Sequence, residues 1–115
     1  MRLAVPWCPS DNNYYTVARG RKILSAKGRA YQTLALLKIR QQVHGVMFRR
    51  KVLVDVTAHP PDLRRRDLAN LCKALGDVLS GSVIVDDSQI VVWKLAWGPL
   101  VKGGELDVWV SQIEP

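Results

Sequence analysis

From Leu68 to Leu79 the apolar residues are Leu68, Leu71, Cys72, Leu75, Val78 and Leu79. Steps of three and four residues are the signature of an amphipathic helix. At about 100° per residue these side chains fill one side of it. Asp67, Asn70, Lys73 and Asp77 fall outside the stripe. A helix of this kind needs a layer to bury against. The stretch just before it supplies one. Val52, Val54, Val56 and Ala58 alternate with Leu53, Asp55, Thr57 and His59, which is the period of a strand. Pro60-Pro61-Asp62-Leu63 is a rigid connection between the two elements. Asp55 and His59 share a sheet face and are read as solvent-facing, since a lone histidine has no set of partner ligands.

The remaining segments fit the same plan. Leu3 to Pro6 is a short strand, closed by Pro6 and Pro9. Trp7 to Tyr15 is a loop dense in turn formers. It is either a turn stabilised by its own Asx side chains, or a surface that meets a nucleic-acid backbone through amides such as Asn13 and hydroxyls such as Tyr14. Ser25 caps a helix running to Val43 or His44, and Gly45 stops it. That helix carries two apolar stripes, Leu36-Ile39-Val43 and Ala30-Leu34-Leu37. One suits the sheet and the other a second subunit, unless both belong to one wide core face. Ser80-Gly81-Ser82 ends the later helix, and Val83 to Val85 is a short strand or extended link. Gln89 to Trp97 and Glu105 to Ile113 are strands joined by the Gly98–Gly104 turn, read as a hairpin. The expected fold is a single α/β (α+β) domain over residues 1–115, with two helices on a mainly antiparallel or mixed sheet.

Charge narrows the function. The chain has 115 residues and a net charge of +7. Residues 1–54 hold eleven Lys or Arg and one acid, whereas residues 55–115 hold six Lys or Arg and nine acids. The basic half predicts a polyanionic partner, nucleic acid first and an anionic membrane surface second. No stretch is apolar enough to span a bilayer. Two cysteines, Cys8 and Cys72, suggest neither a disulfide framework nor a zinc site, and a reducing, cytoplasmic setting fits.

Arg64-Arg65-Arg66 runs straight into Asp67, and Asp86-Asp87 follows the helix closely. Two acidic sites beside an arginine run suggest a metal that handles phosphate. Magnesium (Mg2+) suits carboxylate oxygens, with Asp67 and Asp87 as its candidate ligands. Asp86 is either a further ligand or the cap of its turn. Lys73 stands where it would stabilise a phosphate or orient a water. Arg64, Arg65 and Arg66, together with the basic loop of Arg19, Arg21 and Lys22, are candidate contacts to a nucleic-acid backbone, and the choice of DNA rests on the resemblance below.

These residues also carry a resemblance. Arg64-Arg65-Arg66-Asp67-Leu68, Asn70-Leu71 and Lys73, followed by Asp86-Asp87 and Gln89, resemble the RusA family of Holliday junction resolvases. So do Pro6-Trp7, Pro9-Ser10 and Asn12 with the paired Tyr14-Tyr15. The Ser25-Ala26, Gly28 and Ala30-Tyr31 run and the Lys102-Gly103-Gly104 turn agree too. The resemblance implies a homodimeric, magnesium-dependent enzyme of recombination and repair that cuts four-way DNA junctions by paired nicks. It implies metal-binding aspartates at Asp67 and Asp87 and an active-site lysine at Lys73. The family's further aspartate falls on Ala69, which has no oxygen for a metal, although alanine suits a helix. Impaired catalysis is therefore expected, whether the alanine was introduced or arose by divergence. The alternatives are a non-catalytic DNA-binding module and an RNA-directed nuclease. The resemblance places the protein in the cytoplasm of a bacterial or phage-infected cell.

Overall fold

A computed structural model describes residues 1–113, without the side chains of Asp11 and Asn12. Residues 114 and 115 of the expected domain lie outside that part. The alternating stretch forms β4 (Val52–His59), and Val52, Val54, Val56 and Ala58 are completely buried. Burial of a valine of this kind contributes roughly 1.5–3 kcal/mol. β1 (Arg2–Pro6), β5 (Ile90–Trp97) and β6 (Glu105–Gln112) join it in a four-stranded mixed sheet of order β1-β6-β4-β5. β6 is antiparallel to both β1 and β4, whereas β5 runs parallel to β4. The register brings Val54 beside Val110 and Val56 beside Val108, and Val108 beside Leu3. One sheet face is thus a continuous apolar surface, covered by helices.

β5 and β6 do not form the expected hairpin: β4 lies between them. The reason is in the connection. Gly98 N–H donates to the Ala58 carbonyl at 2.9 Å and Val101 N–H to that of Pro60 at 3.1 Å. A Cβ on Gly98 would meet the His59 ring and the Thr57 methyl at 2.6–2.7 Å, so this link passes tightly over the end of β4. It delivers β6 to the far side of the central strand. The half-buried His59 ring is held in the same place, with Nδ1 2.9 Å from the Pro99 carbonyl oxygen.

Two helices cover the sheet. α1 (Asp11–Tyr14) is a single turn ahead of a small hairpin, β2 (Tyr15–Ala18) and β3 (Arg21–Leu24). Then comes α2 (Ala26–Gln42), whose N-cap Ser25 accepts from Gly28 N–H at 2.9 Å. Tyr31, Ala35, Ile39 and Val43 are buried along one side of α2, whereas Ala30, Leu34 and Leu37 face solvent. The second helix does not start at Leu68. Leu68–Asn70 is a 3₁₀ turn, and α3 spans Leu71–Leu79. Asp67 sets this up: its carboxylate accepts from Ala69 N–H at 3.0 Å, and its carbonyl from Asn70 N–H at 3.2 Å. That i→i+3 closure tightens the first turn. Leu71, Ala74, Leu75, Val78 and Leu79 make the buried face of α3, and Cys72 lies at its half-buried margin. Val83 and Ile84 are buried in the turn after it, fixed by Ser82, whose hydroxyl donates to the Val78 carbonyl at 2.6 Å. Among the described residues no helix is long and apolar enough to cross a membrane.

Candidate nucleic-acid interface and acidic site

The arginine run is not three equivalent cations. Arg66 is tied down: it meets Asp62 at 2.8 Å, donates to the carbonyls of Asp62 and Arg64, and lies 5.5 Å above the Trp7 ring. Asp62 also accepts from Arg64 N–H at 2.9 Å. That backbone bond, with Arg66 next, holds the Asp62 carboxyl below its ordinary range. Arg64 is 83% exposed at its side chain and only 3.5 Å from Asp62, and Arg65 is exposed too. Arg64 and Arg65 are therefore the two members presented to solvent, while Arg66 braces the loop.

Asp67 and Ala69 are both exposed at the 3₁₀ turn. Asp67 borders a cavity of about 220 Å³, walled in part by Trp7, Arg65, Arg66, Asn70 and Trp97. One face of α3 further along carries Lys73, whose Nζ is 3.4 Å from the Asp77 carboxylate one turn on. Asp77, with Tyr15 and Asp87 adding to it, pushes the Lys73 ammonium above its ordinary value. Asp77 is itself held from behind. Tyr14 Oη donates to Asp77 Oδ2 at 2.9 Å and accepts from Gln32 Nε2 at 2.8 Å. Burial pushes the Tyr14 phenol up, so it stays a donor at neutral pH.

Asp87 packs against the same helix. A Cβ built on Gly76 would lie 3.6 Å from Asp87 Cβ and 3.9 Å from its Oδ2. Asp87 thus reaches α3 between the turns that carry Lys73 and Asp77. Its neighbour Asp86 has a different job. Asp86 accepts from Ser88 N–H at 3.0 Å, and the Gln89 amide oxygen accepts from Asp86 N–H at 3.0 Å, a reciprocal capping box. The bond with Ser88 holds the Asp86 carboxyl low. Gln89 also donates to the carbonyls of Phe48 and Arg50, which pins the acidic turn to the segment leading into β4.

The N-terminal candidates divide. Asn13 is exposed, and the side chain of Asn12 lies outside the described residues. Tyr14 is 1% exposed, with its hydroxyl inside, so it is a positioning group and not a surface contact. Arg19, Arg21 and Lys22 are exposed, but not on a loop: Arg19-Gly20 is the tip of a hairpin, and Arg21 and Lys22 lie in β3. Both tip residues have positive φ, 52° and 74°, as a tight two-residue hairpin turn requires. Lys22 lies 4.4 Å over the Tyr15 ring.

Sequence reasoning missed Asp77, Gln32 and Trp97. Asp77 at i+4 from Lys73 was open to a pairing argument. The other two are placed by tertiary contacts alone. Among the described residues no three His, Cys, Asp or Glu side chains gather where they would hold a metal ion.

Residues 5–108 match the endodeoxyribonuclease RusA family. The chain is 36% identical over 112 residues to the crossover junction endodeoxyribonuclease RusA of Escherichia coli (strain K12), covering 96% of this chain and 93% of that protein. It has the same identity and coverage with the proteins of that name from Shigella sonnei (strain Ss046) and Enterobacteria phage 82.

Proposed function

The chain belongs to the RusA family of endodeoxyribonucleases, and from that premise we propose that it is a structure-selective resolvase of four-way DNA junctions whose cleavage step is impaired by Ala69. The observation that carries the reading is the face of α3: Lys73, Asp77 and Asp87 gather there, downstream of the solvent-facing Arg64 and Arg65. Arg64 and Arg65 hold backbone phosphates, with the basic hairpin of Arg19, Arg21 and Lys22 and the exposed Asn13 extending the contact. Lys73 keeps its proton, because Asp77 and Asp87 favour the ammonium. It therefore serves as a fixed cation against a phosphate oxygen and not as a base.

Asp67 and Asp87 are the residues assigned to Mg2+, with Asp86 reserved for its capping role. Magnesium held by carboxylates supplies charge stabilisation and an activated water in phosphodiester hydrolysis. As it stands the donor set does not fit that ion, since Ala69 is exposed where the family motif carries an aspartate and no three-ligand group exists among the described residues. Two nicks need two sites related by a dyad, so the working form is a homodimer. The exposed Leu34 and Leu37, at 46% and 53%, are the apolar stripe offered for that contact. The setting is the cytoplasm of a bacterial or phage-infected cell, in DNA recombination and repair.

Ala69 also favours a second reading, a DNA-binding module without catalysis. One experiment separates them. This chain and Ala69→Asp are incubated with a synthetic four-way junction and with linear duplex, with and without magnesium, scoring binding and nicking together. Paired nicks by the aspartate variant alone support the impaired resolvase. Junction binding with no cleavage by either protein supports the module. No preference for the junction overturns both.

A further inference from the structure

We propose that the hollow beside Asp67 is a nucleobase pocket, in which Trp97 stacks on one unpaired base next to the phosphates held by Arg64 and Arg65. This rests on the nucleic-acid reading above and adds a base-binding site to it. At about 220 Å³ the cavity is smaller than the roughly 300–1,000 Å³ of pockets for drug-sized ligands, which suits a single planar ring system. Its wall is aromatic: the Trp7 and Trp97 rings are inclined by only 26°, with centroids 6.3 Å apart.

The two indoles are not equally available. Trp7 is half-buried, with Arg66 above its ring and Gly104 so close that a Cβ there would lie 2.7 Å from Trp7 Cβ and Cγ. Trp97 stands at the end of β5 and keeps 45% of its surface exposed. It also borders a second hollow lined by Arg64 and Arg65. An exposed indole between a cavity and a row of arginines is the combination that single-stranded nucleic-acid sites use, with stacking for the base and cations for the backbone. The polar edge is provided by Asn70. It occupies the N-cap of α3, yet its side chain makes no capping bond. An amide offers one donor and one acceptor side to the edge of a base. In a four-way junction, bases at the exchange point are the ones able to leave the stack.

The test uses 2-aminopurine, whose fluorescence is quenched on stacking, placed at the exchange point of a four-way junction and separately in a short single-stranded oligonucleotide. The proteins are this chain, Trp97→Ala, Trp97→Phe and Asn70→Ala. The pocket predicts quenching by the parent chain on both probes and a roughly tenfold weaker affinity for Trp97→Ala. Trp97→Phe retains most of the binding, which separates stacking from misfolding. Equal affinity and equal quenching by the parent chain and Trp97→Ala overturn the pocket, even if junction preference remains. Trp97-dependent quenching of the single strand without any preference for the junction keeps the pocket and removes the resolvase reading.

Discussion

Replacing Tyr14 with phenylalanine removes one oxygen from a buried position and tests whether the Lys73 face is secured from the N-terminal segment. The ring is 1% exposed and keeps its edge contacts with Tyr15 and Tyr31, at 4.8 and 6.5 Å, so no cavity opens. What is lost is polar. The hydroxyl gives Asp77 a hydrogen bond at 2.9 Å and takes one from Gln32 at 2.8 Å. A bond to a charged group contributes about 1.5–3 kcal/mol. Asp77 keeps 23% side-chain exposure and its contact with Lys73, so water replaces part of the loss. The expected destabilisation is about 2 kcal/mol. For a domain of this size that lowers Tm by about 8 °C. Urea and thermal unfolding at one fixed protein concentration measure it, which matters if the chain dimerises. A double-mutant cycle with Asp77→Ala, which removes the acceptor, should give a coupling of about 1–2 kcal/mol. A Tm unchanged within experimental error, or effects that simply add to those of Asp77→Ala, would refute the reasoning.

Further outcomes follow from the geometry. Gly104→Ala puts a Cβ against Trp7 at a residue with φ +75°, so it should destabilise by about 1–3 kcal/mol and shift the tryptophan emission, which denaturation followed by fluorescence reads. Arg64→Ala should weaken junction binding and reduce the salt slope by about one without moving Tm, whereas Arg66→Ala should lower Tm, and lysine at 66 should not restore it. The two low carboxyls, Asp62 and Asp86, stabilise the fold fully above the unfolded value of about 3.9 and lose that contribution as pH falls through their lower folded values. Asp62→Asn and Asp86→Asn should therefore each flatten the acid limb of stability against pH. Lys73 works in the opposite sense: its contribution is complete below about pH 10.4 and lost as pH rises through the higher folded value.

Periodicity made much of the fold legible. β4 shows alternation over its full length, and the Ser25 cap and the end of α2 near Val43 are written in residue types. Pairing order was not legible, because it is decided by how the Gly98 link packs on His59 and Thr57 and not by the strands themselves. The 3₁₀ start of α3 was hidden for a similar reason: Leu68 fits the helical stripe, but the Asp67 side chain and carbonyl close a tighter turn. In the candidate site, residue types suggested carboxylates, a lysine and arginines without saying which were committed. The Arg66 and Asp86 side chains are committed to loop and turn, whereas the Arg64 side chain stays exposed and Asp87 lies against α3. Paired tyrosines read as a surface feature, yet Tyr14 turns inward to meet Asp77, a partner 63 positions away.

The place of β6 has a consequence for how the protein comes into being. Made after all the other described strands, it slots between β1 and the central one, with Val108 beside both Leu3 and Val56. Until it arrives, β1 has no described strand to pair with, and Trp7 cannot seat on Gly104. Pairings between such distant residues form slowly, because a long loop must close before any contact rewards it. The wall that Trp7 gives to the Asp67 hollow is thus set by a pairing between the two most distant strands of the sheet, whereas Lys73 and the arginines are placed by nearer contacts.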